Sequence, residues 1–189
     1  QTLQPISLAS PQPGTFIFDM GQNMVGWAQL RVSGPRGTRV SLRFAETLRQ
    51  DGTLSLDNLR TCEVTDTYIL KGGGPEVWEP RFTYHGFRYV ELRGFPGTPD
   101  LSALSGKVVH DNLKPTGAFA CSNPLINRIY QNALWGIRGN YRSIPTDCPQ
   151  RDERQGWLGD RSAESRGESF LFDVAAFYNK WLIDIQDAT

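Results

Sequence analysis

The sequence lacks most of the features that assign a chain to a protein class. Its 189 residues include only three cysteines, widely separated and without a CxxC pair or histidine-rich spacing, so neither a zinc site nor a disulfide framework is predicted. No apolar run approaches the roughly 18 residues of a membrane-spanning helix, so no membrane partner is expected. The 20 basic and 20 acidic residues balance, which gives no reason to expect nucleic acid as a partner.

The beginning of the chain also lacks a processing signal. Residues 1–14, “QTLQPISLASPQPG”, contain neither a basic region nor a long apolar core, so they are not a signal peptide. The first residue is Gln1 rather than methionine, and we therefore expect the natural start to lie upstream. Free thiols at Cys62, Cys121 and Cys148 favour a reducing compartment, which predicts a cytoplasmic location.

Residues 14–110 have the alternation that is typical of β-strands. The segment “TRVSLRFAE” places Val40, Leu42 and Phe44 on one face and polar residues on the other. Other segments rich in aromatic and β-branched residues follow between glycine-containing turns, without an intervening helical pattern. This series predicts an antiparallel β-sandwich, whereas the polar segment 49–60 is predicted to be a long loop.

The later part of the chain has the spacing of amphipathic helices. Apolar residues recur at helical intervals in segment 122–143, which Ser122 or Asn123 can cap. The same spacing recurs in segment 172–188, with Asp173 as a candidate cap. We therefore predict two helices, each with an apolar stripe.

The change of pattern predicts two domains. The segment “HDNLKPTG” is the natural boundary, which gives a β-sandwich domain at residues 1–112 and a helical domain at residues 113–189. Two or three helices with apolar stripes cannot form a large helical domain alone, and the last one runs to Thr189 without a stop signal. We therefore expect either a truncated domain or a partner that covers the stripes, namely the remainder of the domain or a second copy.

One segment between the predicted helices, “DCPQRDERQGWLGD” at residues 147–160, concentrates charge around a large aromatic ring. In a helix, Glu153, Trp157 and Asp160 would share one face, but two glycines weaken that helix and an irregular turn is the alternative. Carboxylates beside an aromatic ring suit a sugar, because the ring stacks on the apolar face while the acids bind hydroxyls. A carboxyl group held against apolar surface can also act as a general acid.

Two other interpretations of this segment remain open. Alternating acids and arginines, as in residues 151–154, are also typical of a solvated face with local ion pairs. Asp147, Asp152 and Asp160 could in principle hold magnesium or calcium. The interleaved arginines would repel a cation, so no metal is predicted.

The remaining candidate groups have structural interpretations. His85 lies in a predicted strand and is expected to make a local hydrogen bond, and His110 is expected to bond to backbone at the domain boundary. Cys148 has no histidine near it in sequence, so it is not predicted to be a nucleophile.

The segment “PTDCPQRDERQGWLGD” resembles the acid-bearing signature of bacterial α-L-rhamnosidases, glycoside hydrolase family 78. Further segments agree with that family in order: “FDMGQNMVGW”, “GTRVSLRFAE”, “TDTYILKGGG”, “WEPRFTYHGFRYVE” and “TGAFACSNPLINRIYQNALWG”. The resemblance covers almost the whole chain. It implies a β-sandwich followed by the first helices of a catalytic (α/α)6 barrel, hydrolysis of terminal α-L-rhamnosides in glycosides or polysaccharides with inversion, and no cofactor.

The resemblance also implies roles for particular residues. Glu153 matches the general acid, which protonates the glycosidic oxygen as the bond breaks. Four other positions match residues that hold the rhamnose: Asp147, Arg151, Trp157 and Asp160. Asp152 receives no role from the resemblance, and an ion pair with Arg151 or Arg154 is an alternative for it.

The sequence departs from the family in two respects. Arg161 follows “GD” where family members more often have a small residue, and we expect it to alter the rim of the pocket. The family's general base is a glutamate much later in the barrel, so we expect it beyond Thr189, because Glu164 and Glu168 are too close in sequence. The chain alone is therefore expected to have little hydrolase activity. The alternative is a non-catalytic carbohydrate-binding or structural β-sandwich module with a helical extension.

Overall fold

A computed structural model describes residues 1–188, and these residues group into a β unit and a helical unit. The β unit comprises residues 1–109 and 150–152, and the helical unit comprises residues 110–149 and those from Glu153 onward. The predicted fold class, an antiparallel β-sandwich followed by helices, is confirmed. The predicted division between residues 112 and 113 stays a prediction.

Short antiparallel strands make up the β unit. They are β1 Thr2–Leu3, β2 Ser7–Gln12, β3 Thr15–Ser33, β4 Arg39–Ala45, β5 Thr47–Leu48, β6 Leu54–Ser55, β7 Thr65–Ile69, β8 Pro75–Trp78, β9 His85–Arg93 and β10 Leu104–Val108. The main strand order is β1-β10-β3-β9-β4-β7, and β2 and β8 also pair with β3. The register of β3 against β9 shifts between Asp19 and Met24. Such a bulge increases the local twist, which lets the 19-residue strand β3 pair with four other strands.

The alternation of β4 points its apolar side chains into the core, as predicted. Val40, Leu42 and Phe44 are each 0% exposed. The prediction of a long loop at residues 49–60 is wrong, because this segment contains β6 and a 3₁₀ turn. Leu54 and Leu59 are buried, and Leu54 packs with Ile17 and Ala45, contacts that the polar local pattern did not indicate.

The structural interpretation of His85 is confirmed. Its Nε2 lies 3.0 Å from Asp66 Oδ1, and its ring stacks on Phe44 with the ring centroids 4.2 Å apart. The imidazole is therefore a buried structural group of the sheet. His110 also behaves as predicted, since its Nδ1 lies 2.7 Å from the Asp111 carbonyl oxygen.

The described part of the helical unit, up to residue 188, contains three helices and a small hairpin. They are α1 Pro124–Gly139, β11 Tyr141–Arg142, β12 Ile144–Pro145, α2 Leu158–Leu171 and α3 Ala175–Asp187. Asn123 is the cap of α1, because its side-chain oxygen accepts from the Leu125 N–H at 2.9 Å. Asp173 accepts from the Ala175 N–H at 3.4 Å, close to the predicted cap position of α3.

An aromatic core joins the elements of the helical unit. Its buried members are Tyr141, Phe172, Val174 and Phe177, and the C-terminal half of α1 packs against them. The N-terminal half of α1 keeps its apolar stripe exposed, with Leu125 at 66% and Ile129 at 58%. Among residues 1–188, no helix is long and apolar enough to span a membrane.

The close approach of β3 and β10 generates a stability prediction. Gly26 has φ 149°, and a Cβ there would lie 1.8 Å from the Lys107 carbonyl oxygen. Gly26→Ala should therefore lower the free energy of unfolding by more than about 3 kcal/mol. Gly37→Ala is the matched control, because Gly37 also has positive φ but faces open space, and it should cost about 1–2 kcal/mol. Urea unfolding followed by tryptophan fluorescence measures both, and equal losses would contradict the prediction.

Candidate active site

The chain that leads into the charged segment is held by hydrogen bonds within the helical unit. Ser143, at the tip of the β11–β12 hairpin, has φ 68°. Its N–H donates to Asp111 Oδ2 at 2.6 Å, and its hydroxyl accepts from Lys180 Nζ at 2.9 Å. The Thr146 N–H donates to the Asn140 carbonyl at 2.8 Å. Because these bonds fix the hairpin, the position at which the charged segment begins is defined.

Residues 147–155 of the charged segment form a closed loop and not a helix, and α2 begins only at Leu158. The Asp147 N–H donates to the Gln155 carbonyl at 3.1 Å, and the Gln155 N–H donates to Asp147 Oδ1 at 2.8 Å. The same Gln155 carbonyl also accepts from the Trp157 N–H at 3.1 Å. The prediction that Glu153 shares a helix face with Trp157 is therefore wrong, and the alternative of an irregular turn is correct. The backbone N–H and carbonyl of Gln155 close the loop. Because nearly every residue carries these groups, the sequence did not indicate this role.

The loop brings two of the predicted site residues together. One ligand atom each from Asp147, Cys148 and Glu153 lies within 4.8 Å of the others. Asp147 and Glu153 are half-buried, and Cys148 is buried. Magnesium and calcium prefer oxygen ligands, so a set with one sulfur and two carboxylates does not suit them. The predicted alternative set of Asp147, Asp152 and Asp160 is not the group that the structure assembles.

The separation of the two carboxyl groups restricts what they can do as a pair. An inverting glycosidase keeps its acid and base about 6.5–9.5 Å apart, because a water must fit between the base and the sugar. The Asp147 and Glu153 oxygens are closer, within 4.8 Å. Asp147 therefore does not have the spacing of an inverting base for Glu153, and its Oδ1 already closes the loop.

Trp157 and Asp160 lie where the loop passes into α2. Trp157 is the N-cap residue of that helix and its side chain makes no capping hydrogen bond. It is 47% exposed, which leaves part of the indole ring accessible. Asp160 is exposed in the first turn of α2, where the partial positive charge of the helix N-terminus favours a carboxylate.

The backbone before Trp157 packs tightly against α3. A Cβ at Gly156 would lie 2.9 Å from Trp181 Nε1 and 3.2 Å from its Cε2. Trp181 is buried, so its ring has little room to move. Glycine is therefore required for this approach, a reason that the sequence alone did not reveal.

Arg151 and Asp152 belong to the short stretch that groups with the β unit, residues 150–152. Arg151 is half-buried. Asp152 Oδ2 accepts from the Thr61 N–H at 3.4 Å and also from the Thr61 hydroxyl. The hydroxyl bond is the main cause that lowers the pKa of Asp152. Thr61 is far from Asp152 in sequence, so no local pattern indicated this partner.

Arg161 was expected, with the charges that follow it, to alter the rim of a pocket, but it is not exposed at a surface. Its side chain is buried, because the i, i+7 spacing places it on the same face of α2 as the buried Glu168, with which it forms an ion pair. Arg161 also donates to Glu164 at 2.8 Å. The second oxygen of Glu168 accepts from the Tyr178 hydroxyl. Burial, together with this hydrogen bond, raises the pKa of Tyr178 to about 12, so the phenol keeps the proton that it donates.

Two family models account for nearly the whole chain. Residues 9–110 match the bacterial α-L-rhamnosidase concanavalin-like domain, and residues 114–189 match the bacterial α-L-rhamnosidase six-hairpin glycosidase domain. The chain belongs to the bacterial α-L-rhamnosidase family. Its fold is thus the β-sandwich of these enzymes followed by the start of their helical barrel.

Individual α-L-rhamnosidases are similar to this chain over more than nine tenths of its length. One from Streptomyces avermitilis is 50% identical over 181 residues, which are 96% of this chain and 18% of that protein. One from Formosa agariphila is 44% identical over 91% of this chain and 19% of its own length. The chain thus spans about a fifth of the length of these relatives.

Solved structures of α-L-rhamnosidases superpose closely on the chain. The enzyme from Dictyoglumus thermophilum is 51% identical with a TM-score of 0.97, and the match covers 100% of this chain and 21% of that one. The enzyme from Streptomyces avermitilis, solved in complex with L-rhamnose, is 48% identical with a TM-score of 0.97, and the match covers 100% and 18%.

The loop closure of this rhamnosidase-family chain can be tested by hydrogen exchange. Asp147→Ala removes the oxygen that accepts from the Gln155 N–H, whereas Asp147→Asn keeps an oxygen at the same position. We expect amides of residues 147–157 to exchange about tenfold faster in Asp147→Ala, because a hydrogen bond to a charged acceptor is lost. Asp147→Asn should remain near the wild type. Wild-type protection in Asp147→Ala would show that the carboxylate does not close the loop.

Proposed function

We propose that the complete natural protein is a glycoside hydrolase that releases terminal α-L-rhamnose from rhamnose-containing glycosides or polysaccharides. The observation that carries the proposal is the closed loop at residues 147–155, which presents Glu153 beside Asp147 in a chain of this family. The similar Streptomyces avermitilis enzyme, solved in complex with L-rhamnose, supports the same substrate class. The free thiols of the chain support the cytoplasm as its compartment.

Glu153 is the general acid in this proposal. It protonates the glycosidic oxygen as the bond to the rhamnose carbon breaks, so that the leaving group departs as a neutral alcohol. Its half-buried position at the loop leaves part of the residue accessible, as contact with the substrate requires. Asp147 is less suited to this role, because one of its oxygens holds the loop closed.

The other predicted residues bind the sugar. Trp157 stacks its accessible indole face on the apolar face of the rhamnose ring. Asp147, Arg151 and Asp160 accept from or donate to the ring hydroxyls. The loop and the first turn of α2 carry both kinds of group. This supports the two roles that we propose, a flat apolar contact from Trp157 and polar contacts from the charged residues.

The reaction proceeds with inversion, and its general base lies outside these 189 residues. The base takes a proton from a water that attacks the face of the ring opposite to the leaving group. The close spacing of Asp147 and Glu153 supports a base elsewhere, since the two oxygens lie within 4.8 Å. Glu168 is also unsuited to the role, because it is 1% exposed and paired with Arg161.

The exposed apolar stripe of α1 is covered by the remainder of the helical barrel. Leu125, Ile126 and Ile129 are 66%, 45% and 58% exposed, and an apolar row of this size is unfavourable in water. A second copy of the chain is the alternative cover. The short span of the chain relative to its relatives, 18% and 19% of their lengths, favours the barrel.

The role of Glu153 is tested by Glu153→Gln in the complete natural protein. On an unactivated rhamnoside we expect kcat to fall by about 10²–10⁴, because the departing oxygen no longer receives a proton. The loss should be much smaller on an aryl rhamnoside with a good leaving group. Glu63→Gln, at an exposed residue of the β unit, is the control and should leave both rates unchanged. Retained activity on the unactivated rhamnoside would exclude Glu153 as the acid.

The need for a base outside the chain gives a separate prediction. The 189-residue polypeptide alone should hydrolyse rhamnosides at a small fraction of the rate of the complete protein. Circular dichroism must first show that it contains the expected strands and helices. Normal turnover by the folded polypeptide would overturn the prediction. Rhamnose binding without turnover in the complete protein would favour the alternative of a carbohydrate-binding module.

A further inference from the structure

A network of buried charged and phenolic groups lies inside the helical unit. Arg161 and Glu168 on α2 are 6% and 1% exposed. One oxygen of Glu168 accepts from Arg161 Nη1, and the other accepts from the Tyr178 hydroxyl on α3. The Tyr178 hydroxyl also lies 3.4 Å from the Tyr141 hydroxyl. Both oxygens of this buried carboxylate are therefore used, one within α2 and one between α2 and α3.

The network anchors the part of α2 that lacks a cap. Helix N-termini are usually fixed by a side chain that accepts from a backbone N–H, but Trp157 is the N-cap residue of α2 and makes no such bond. Arg161 follows Asp160 directly, and its N–H donates to the Trp157 carbonyl at 3.4 Å. The buried side chain of Arg161 therefore fixes the rotation and the axial position of the first turn.

A second contact with α3 fixes the backbone on the other side of Trp157. Gly156 lies so close to Trp181 that a Cβ there would meet Nε1 at 2.9 Å. Trp157 and Asp160 thus lie between two contacts with α3. The Gly156–Trp181 contact precedes them in the chain, and the Arg161–Glu168–Tyr178 network begins directly after them.

We propose that Arg161, Glu168 and Tyr178 are positioning residues that hold Trp157 and Asp160 in the geometry that binds the terminal rhamnose. This inference rests on the proposed function. The three side chains act through the start of α2 and do not touch the sugar. A displaced first turn weakens rhamnose binding without removing the proton donor, because Glu153 lies on the loop that Asp147 and Gln155 close and not on α2.

Tyr178→Phe in the complete natural protein is the first test. It removes the hydroxyl that donates to Glu168 and keeps the ring, which packs against Phe177 and Trp181. We expect the KM for an aryl α-L-rhamnoside and the inhibition constant of L-rhamnose to rise together by about tenfold, while kcat changes by less than about threefold. A purely stabilising role would lower the melting temperature and the active fraction but leave KM and the inhibition constant unchanged.

The matched control is Tyr130→Phe, which removes a hydroxyl from α1 that donates to the Gly117 carbonyl at 3.4 Å. It should leave KM and the inhibition constant of L-rhamnose unchanged. A double variant, Arg161→Met with Glu168→Leu, replaces the buried pair by apolar groups of similar volume, an exchange that folded proteins often tolerate. It should raise both constants at least as much as Tyr178→Phe does.

The outcomes separate this inference from the proposed function. If the wild-type protein hydrolyses rhamnosides but both Tyr178→Phe and the double variant keep the wild-type KM and inhibition constant, the positioning role is overturned and the function stands. If one variant does not fold, the constants of the other decide in the same way. If the folded wild-type protein neither hydrolyses rhamnosides nor binds L-rhamnose, the proposed function itself fails.

Discussion

The helical unit depends on one buried carboxylate, that of Glu168. Burying an unpaired charge costs several kcal/mol, so this side chain is tolerated only where partners reach both of its oxygens. Arg161 reaches one from the same helix, and Tyr178 reaches the other from the next helix. Burial keeps the Tyr178 phenol protonated, with its pKa raised to about 12. The aromatic core around Tyr141 and Phe177 completes the same junction. These polar contacts and the aromatic core together hold α2 against α3.

In the charged segment, the residues that close the loop are different from the residue that we propose as the general acid. Asp147 and the backbone of Gln155 close the loop at both of its ends. Glu153 lies inside the closed loop, within 4.8 Å of Asp147. Arg154, the next residue, has φ 54°, an uncommon conformation for a residue other than glycine. Such strain persists where surrounding bonds determine the backbone, and the reciprocal bonds of Asp147 and Gln155 supply that constraint.

Elements whose residues depend on local interactions could be predicted from the sequence. Val40, Leu42 and Phe44 alternate, and all are buried. Asn123 caps α1 because a cap bonds only to its own helix. The predictions that were wrong depended on distant contacts. Segment 49–60 was predicted to be a polar loop, although Leu54 and Leu59 are buried and Leu54 packs with Ile17 and Ala45 of other strands. Arg161 was expected at a surface, although a partner seven residues away on α2 and a tyrosine on α3 enclose its charge.

The sequence by itself determined the order of β and helical segments, and it showed the acids and the aromatic ring of residues 147–160. Strand alternation, helical spacing and the family resemblance depend only on the order of residues in the chain. Only the tertiary structure decided how those groups are held. It placed Asp147 and Glu153 on a closed loop instead of a helix, and it brought Asp152 to Thr61 and Gly156 to Trp181. Hydrogen bonds of the backbone and contacts between distant residues make these choices. Backbone hydrogen bonds and contacts between distant residues produce no periodic pattern in the sequence. They therefore could not be predicted from the sequence alone.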